Sequence, residues 1–174
     1  MTGLPDVIQP SLRVLFCGIN PGLLAAATGH HFAGRGNRFW QVMHEAGFTP
    51  HRFAPQDSRD LLHHGCGLTT VVARPTARED QIDPAEYRAA ADAFGGKIAR
   101  YRPAFVAFLG KPAWAGMSGQ REIAWGRQAM GFAGATTWVL PNPSGRNRAF
   151  TLEQLVEAYR GLRCVAFAGP IPSP

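Results

Sequence analysis

Cysteine is scarce in this sequence of 174 residues, which has three, at Cys17, Cys66 and Cys164. They are far apart, odd in number and form no CxxC pair, so neither a disulfide framework nor a zinc finger is expected. A chain with three cysteines cannot supply the four thiolates that hold an iron–sulfur cluster. The histidine pairs at 30–31 and 63–64 have no cysteine to support a metal site, and adjacent side chains do not easily face one ion. We therefore expect no metal and no other cofactor.

Long hydrophobic runs are also missing. The longest apolar runs are too short to span a bilayer, and residues 1–10 lack the basic start and apolar block of a signal peptide. These absences predict a cytoplasmic protein with no membrane partner. We also expect the protein to be a monomer. With 45% hydrophobic residues the chain can bury a sizeable core. We expect a single domain over 1–174, with its core at about 11–168 and a flexible tail at 169–174.

Lysine supplies only two of the 18 basic residues, and with 12 acidic residues the net charge is +6. The excess lies in the second half: residues 88–174 carry 11 basic and 4 acidic groups, whereas residues 1–87 carry 7 and 8. Because arginine binds phosphate oxygens in a bidentate manner, this composition favours a polyanionic partner. A protein that is merely soluble and cationic has the same composition, so charge alone does not identify the partner.

Short apolar runs bounded by turn residues predict the strands of a buried sheet. The runs lie at 12–18, 68–72, 104–110 and 136–140, with a candidate edge strand at 164–168. Helical spacing follows the capping residues Asn37, Asp83 and Thr151. This alternation predicts an α/β fold, a three-layer α/β/α sandwich with a mostly parallel central sheet of four or five strands.

Two polar turns follow predicted strands, at the sheet edge where ligands of such folds bind. The first is Gly18-Ile19-Asn20-Pro21-Gly22, in which glycine permits close approach of a ligand and Pro21 stiffens the backbone after Asn20. The second, from Pro141 to Arg148, reads PNPSGRNR and could push a side chain into stacked bases while its arginines hold phosphates. Taken alone, each turn also has the residue types that are common in turns without a functional role.

Together, the two turns resemble the uracil-DNA glycosylase superfamily, and within it the mismatch-specific uracil/thymine branch. The stretches that are similar to this branch are LRVLFCGINPG at 12–22, NRFW beginning at Asn37, Leu-Gly-Lys at 109–111, LPNPSG beginning at Leu140 and LEQLVEAYR at 152–160. The resemblance covers about residues 11–163, nearly the whole chain, and implies the sandwich fold of that superfamily.

The activity that the resemblance implies is monofunctional base excision from double-stranded DNA with a G:U or related mismatch. The base is flipped into a pocket and its N-glycosidic bond is hydrolysed, which leaves an abasic site for repair. Many superfamily members have a carboxylate in the first turn, where this chain has Asn20. A carboxamide cannot accept a proton near neutral pH, so Asn20 can only orient the water, and we expect a slow enzyme. Such an enzyme relies on pocket amides to stabilise the departing base and on DNA phosphates to stabilise the cationic sugar.

The resemblance also assigns roles in binding the base. Phe32 matches the aromatic residue that stacks on the flipped base, and its position outside any periodic apolar run favours this over a core role. The backbone at Ile19 and Phe32 should bind the carbonyl edge of the base, and Asn142 should line the pocket. Thr70 stands near the pocket where a lysine is expected, and Ala25 stands where a serine is familiar. These departures leave the order of preference among uracil, thymine and other modified pyrimidines open.

The DNA-binding residues that the resemblance implies lie in the second turn. Gly145, Arg146 and Asn147 match the loop that enters DNA, where backbone groups read the opposite guanine and one side chain fills the vacated space. Arg148 adds charge for phosphates. Arg146 stands where the bacterial pattern has leucine, so binding should depend more strongly on salt than it does with leucine.

An acidic cluster at Glu79, Asp80 and Asp83 allows two interpretations. If this loop folded over the pocket mouth, one carboxylate could supply the base that Asn20 lacks. The simpler interpretation, which we favour from the sequence, is that Asp83 caps a helix and the other two are solvated.

Two other classes of function remain for comparison. A catalytically weak module that binds abasic or mismatched DNA is consistent with Asn20 being a poor activator of water. A nucleotide-binding α/β protein is disfavoured, because Gly95-Gly96-Lys97 has Ala91 where a phosphate-binding loop needs its first glycine. No GxGxxG follows a predicted strand either.

Overall fold

The computed structural model describes residues 3–168, which form one five-stranded sheet with helices on both faces. The strands are β1 (Val14–Gly18), β2 (Cys66–Thr70), β3 (Phe105–Leu109), β4 (Gly126–Arg127) and β5 (Thr136–Leu140). The α-helices are α1 (Leu23–Thr28), α2 (Phe39–Glu45), α3 (Pro84–Tyr101), α4 (Lys111–Ser118) and α5 (Leu152–Ala166). Two 3₁₀ segments, Pro55–His64 and Glu79–Gln81, complete the secondary structure of this part of the chain. None of the helices in residues 3–168 is long and apolar enough to cross a bilayer.

The sheet has the order β2-β1-β3-β5-β4, in which the first four strands are parallel and β4 pairs antiparallel with β5. The register places Gly18 opposite Thr70 and Leu109 opposite Leu140. The carboxyl ends of the four parallel strands therefore meet at one edge of the sheet. This arrangement confirms the predicted α/β fold with a mostly parallel sheet.

Side chains of β1 alternate between two hydrophobic cores, because successive residues of a strand point to opposite faces. Val14 and Phe16 pack in the core that contains α2 and α5. Leu15 and Cys17 pack in the core that contains α3 and α4. Burial on both faces explains why this strand reads as a continuous apolar run, and it produces the predicted layers of helix, sheet and helix.

The candidate strand at 164–168 is wrong, because Cys164 lies inside α5, which continues to Ala166. Leu162 and Ala166 are buried on the same stripe of this helix, so helical packing, not strand pairing, accounts for the apolar residues. The fifth strand is instead β4, whose two residues carry no hydrophobic signal. The expected tail at 169–174 lies outside the described residues.

The three predicted capping side chains all accept hydrogen bonds at helix starts. Asp83 Oδ1 accepts from the Ala85 N–H at 2.8 Å, and Thr151 Oγ1 accepts from the Gln154 N–H at 3.2 Å. Asn37 Oδ1 accepts from the Phe39 N–H at 3.0 Å. Asn37 lies one residue before the N-cap position of α2, whereas Asp83 and Thr151 occupy the N-cap positions of their helices. Local polar contacts therefore set where α2, α3 and α5 begin.

Candidate active site

A cavity of about 660 Å³ opens at the carboxyl edge of the sheet. Its wall combines the turn after β1, the aromatic residue that follows α1, the loop before α3 and the turn after β5. The residues that bear on the chemistry are Gly18, Ile19, Asn20, Phe32, Thr76, Glu79, Asp80, Asn142, Ser144, Gly145 and Arg146. The structure thus brings together the two polar turns that the sequence places far apart.

Asn20 lines this cavity and is held by the loop of residues 74–82, which we name the acidic loop. Its Nδ2 donates to the Arg74 carbonyl oxygen at 2.7 Å and to Thr76 Oγ1 at 2.8 Å. Because a carbonyl can only accept, the nitrogen of the amide must be the atom that faces Arg74. Within residues 3–168 no donor hydrogen-bonds to Asn20 Oδ1. This oxygen is therefore available to accept a hydrogen bond from a water molecule.

The acidic loop is anchored to the first turn by its own backbone. The Thr76 N–H donates to the Pro21 carbonyl at 3.1 Å, and Thr76 Oγ1 donates to the Arg78 carbonyl at 2.6 Å. Arg74 forms an ion pair of 2.7 Å with Glu86 on α3. These contacts fix the acidic loop as one wall of the cavity.

Phe32 belongs to both the core and the cavity. Its ring stacks on Phe39 with a centroid separation of 4.0 Å and an interplanar angle of 21°. Its backbone has a φ of 57°, a left-handed conformation that is rare for a bulky residue. The neighbouring His31 is buried, with Nε2 at 2.8 Å from the Pro5 carbonyl, and its own carbonyl accepts from Trp40 Nε1 at 3.1 Å. The surroundings thus impose an unusual conformation that presents an aromatic ring to the cavity.

Glu79 extends the polar wall of the cavity. Asn142 Nδ2 donates a hydrogen bond to the Glu79 carboxylate, and Asn142 Oδ1 accepts from the Ser144 N–H at 2.8 Å. Burial raises the pKa of Glu79, the charge of Asp80 raises it further, and the bond from Asn142 opposes both effects. Solvent reaches this side chain, yet it is not the freely solvated carboxylate that we favoured from the sequence.

The other two acidic residues of the cluster differ from Glu79. Asp83 caps α3, as predicted. Asp80 also lines the cavity, but its side chain is 70% exposed and pairs with Arg78 Nε at 2.9 Å. Of the three carboxylates, Glu79 therefore has the environment that departs most from that of a surface residue.

Arg38 holds the insertion loop, residues 144–150. Its Nη2 donates to the carbonyls of Ser144 and Asn147, each at 2.9 Å, and its Nη1 donates to the Phe150 carbonyl at 2.9 Å. Its backbone N–H donates to the Pro143 carbonyl at 2.9 Å. Sequence reasoning found Arg38 only as part of NRFW, since no local pattern reveals contacts made over 100 positions away.

The insertion loop also depends on a close approach between two glycines. A Cβ on Gly145 would lie 2.8 Å from the Gly36 carbonyl oxygen, so the position has no room for a side chain. Arg146 follows, exposed at the cavity rim, with its N–H donating to Ser144 Oγ at 3.2 Å. The loop therefore presents Arg146 from a tightly constrained backbone.

Three predicted site residues lie outside the cavity wall. Asn147 Nδ2 donates to the Asn142 carbonyl at 3.0 Å and so braces the second turn from inside the loop. Arg148 is exposed. Thr70 is at the end of β2 and lines a separate cavity beside Asp6 and Lys97. Thr70 does not itself line the cavity of Asn20, although it pairs with Gly18, which does.

Comparison with known proteins identifies the fold and the family of this chain. The solution NMR structure of a "putative Uracil DNA glycosylase" from Methanosarcina acetivorans superposes with a TM-score of 0.63 and 23% sequence identity. The match covers 93% of this chain and 98% of that one, which at this identity shows a shared fold. The family model of the uracil DNA glycosylase superfamily matches residues 5–163, a span that contains both polar turns, the acidic loop and the insertion loop. The chain belongs to the uracil DNA glycosylase superfamily.

Proposed function

We propose that this protein is a mismatch-specific uracil-DNA glycosylase that excises uracil opposite guanine from duplex DNA. Its superfamily consists of hydrolases that cleave N-glycosidic bonds, which supports uracil-DNA glycosylase activity. The observation that carries the proposal is the position of Asn20, clamped through Nδ2 with Oδ1 free, in a cavity shared with Phe32. A flipped pyrimidine stacks on Phe32 while Asn20 orients the water that attacks the sugar.

The reaction displaces the base at the anomeric carbon. The bond between C1′ and N1 breaks with its electron pair going to the base, and the sugar becomes oxocarbenium-like. Water oriented by Asn20 Oδ1 then bonds to C1′ and gives up a proton. Asn20 cannot take this proton, whereas an ionised Glu79 on the same cavity wall can. The departing base leaves as an anion and is protonated in solution.

The insertion loop selects duplex DNA over single-stranded DNA. Arg146 fills the space that the flipped nucleotide leaves, and the backbone at Gly145 reads the opposite guanine. Arginine at this position combines a planar group that can stack with a permanent charge that can pair with phosphate. Arg148 adds a second exposed cation nearby.

The test is single-turnover cleavage of a labelled duplex with one U:G pair, followed by alkali to break the abasic site. We expect alkali-labile product at the uracil, with slower cleavage of U:A. Duplexes with T:G and with larger C5 substituents rank the remaining substrates. No product from U:G at stoichiometric enzyme would refute the proposed activity.

A second candidate function is a module that binds abasic or mismatched DNA with little catalysis. The absence of an ionisable group at position 20 favours this candidate. The single-turnover rates of wild type and Asn20→Ala separate the two functions. A fall of about 10²-fold or more supports catalysis that depends on Asn20, whereas rates that are equal and very low support the binding module.

A further inference from the structure

Trp125 is a large aromatic side chain that is not buried in either hydrophobic core. It is 44% exposed, whereas Trp40 is 4% exposed and Trp114 is fully buried. Indole is amphipathic, and an exposed tryptophan is more typical of a binding surface than of ordinary protein surface. Trp125 directly precedes β4, the edge strand of the sheet, and is accessible there to a binding partner.

The turn that carries Trp125 is held by hydrogen bonds from one side chain. Gln128 Nε2 donates to the Ala124 carbonyl at 2.8 Å and to the Gly126 carbonyl at 2.9 Å, one on each side of Trp125. The ring of Phe150 meets the indole edge to face, with centroids 5.3 Å apart and an interplanar angle of 84°. Because its backbone and one contact are fixed in advance, Trp125 loses little conformational entropy when it binds a ligand.

The position of Trp125 links it to the candidate active site. Phe150 ends the insertion loop, and its carbonyl is held by Arg38. Lys111 is the first residue of α4, two positions after Leu109, which lines the main cavity. The Lys111 ammonium lies 4.5 Å from the centroid of the Trp125 ring. An aromatic ring and a cation thus stand together beside the loop that we expect to enter DNA.

The segment of chain that carries this pair is strongly basic. Residues 111–150 carry five basic side chains and one acidic side chain. They are Lys111, Arg121, Arg127, Arg146 and Arg148, with Glu122 as the acid. A segment with this charge suits a polyanion, and an aromatic ring beside a cation is a combination that binds nucleotides through stacking and phosphate pairing.

We propose that Trp125 and Lys111 form a second DNA-binding site, which holds the strand that flanks the flipped nucleotide. Lys111 donates to a phosphate oxygen, and Trp125 packs against the deoxyribose or an unstacked base of the same strand. This inference rests on the proposed function for the choice of DNA as the polyanion. The site extends the interface beyond Arg146 and adds affinity that does not depend on the base in the cavity.

The test measures binding to a 30-base-pair duplex with a tetrahydrofuran abasic-site analogue opposite guanine. We expect Trp125→Ala to weaken binding about tenfold, as for loss of one base–aromatic contact. Lys111→Gln should lower the slope of log K against log salt by about one. Met130→Ala is the matched control, since Met130 is 45% exposed and should leave affinity unchanged.

Progressive shortening of the duplex locates the contact. When the DNA no longer reaches Trp125, wild type and Trp125→Ala should bind equally, and this should occur on shortening from one side of the analogue only. Trp125→Phe, which keeps an aromatic ring against Phe150, provides a second variant if Trp125→Ala does not fold. Tryptophan fluorescence should be quenched by DNA in wild type and much less in Trp125→Phe.

The outcomes separate this inference from the proposed function. If wild type cleaves U:G while Trp125→Ala and Lys111→Gln bind every duplex as wild type does, the second site is refuted and the glycosylase remains. If wild type cleaves nothing but DNA binding still depends on Trp125 and on duplex length, the second site stands and the proposed activity is refuted.

Discussion

The amide of Asn142 donates a hydrogen bond to the carboxylate of Glu79, although 63 positions separate the two residues. The contact joins the turn after β5 to the acidic loop within the wall of one cavity. Since Asn142 Oδ1 accepts from Ser144, both ends of this side-chain amide are engaged. The carboxylate is thereby oriented by a residue of the second turn, while Asn20 is oriented by the acidic loop.

Glu79→Gln should lower the single-turnover rate on U:G by about 10²-fold, the lower range for loss of a general base. Only the ionised carboxylate accepts a proton, and burial raises the pKa of Glu79 above 4.5. The wild-type rate should therefore fall as the pH drops through this raised pKa, and the glutamine variant should lose that dependence. A pH–rate profile from pH 4.5 to 8 measures both effects.

Asp80→Asn is the matched control for Glu79→Gln, because Asp80 is a neighbouring carboxylate on the same cavity with an exposed side chain. Its pH–rate profile should keep the acid limb that the glutamine variant loses, displaced to lower pH because the charge of Asp80 raises the pKa of Glu79. If Glu79→Gln keeps both the wild-type rate and the acid limb, Glu79 takes no proton in the reaction.

Arg38→Ala should impair cleavage of duplex uracil more than cleavage of single-stranded uracil. The substitution removes the donors to Ser144, Asn147 and Phe150, so the insertion loop loses its scaffold. We expect a loss of about 1–3 kcal/mol in the free energy of unfolding, since carbonyls lose charged donors. Urea unfolding and the two cleavage rates measure these effects.

Two variants control for Arg38→Ala. Arg52→Ala removes one charge at an exposed position and should change neither stability nor the ratio of the two rates. Arg38→Lys should recover part of the stability, because one ammonium cannot reach all the carbonyls. Equal losses on duplex and single-stranded substrates would mean that Arg38 supports the fold alone.

Arg146→Ala should lower activity on duplex DNA more than activity on single-stranded uracil, because only the duplex has a vacated space to fill. Arg146→Leu should restore much of the duplex rate while lowering the salt slope by about one. Titration at several salt concentrations with both substrates checks this. A uniform loss on both substrates in Arg146→Ala would rule out a wedge.

His31 should make stability depend on pH. Burial lowers the pKa of His31 from 6.5, so the folded state binds a proton less readily than the unfolded state. The free energy of unfolding should therefore be highest above pH 6.5 and should fall as the pH drops through 6.5 toward the folded-state pKa. Urea unfolding at pH 7.5, 6.5 and 5.5 measures this, and a His31→Gln variant that keeps the full wild-type slope would contradict it.

Much of the fold could be predicted because its signals are local. A strand buried on both faces, such as β1, must be apolar throughout, and caps such as Asp83 act within three residues. The strand β4 has no such signal, since it is the two residues Gly126–Arg127 paired at the sheet edge. The prediction of a strand at 164–168 is wrong because a helix and a buried strand both bury apolar residues. Apolar composition alone therefore does not distinguish the two.

Some features of the candidate site could likewise be predicted from the sequence, and others could not. The polar turns at Asn20 and Asn142 could be placed at one edge of the sheet, because parallel strands align their carboxyl ends. The contacts of Glu79 with Asn142 and of Arg38 with the insertion loop could not, since each joins side chains to atoms far away in the sequence. Topology brings segments together, whereas packing decides which side chains then meet.

The clamp on Asn20 constrains how this active site can evolve. Nδ2 lies between two oxygens, of which the Arg74 carbonyl has no proton and Thr76 Oγ1 already donates its own to Arg78. Aspartate would place a negative oxygen against both, so Asn20→Asp should unfold at a lower temperature than Asn20→Ala. A single step from Asn20 to a carboxylate, which activates water more strongly, is therefore costly to stability. The cost falls if the acidic loop changes first, so the order in which mutations arise affects whether this step is reached.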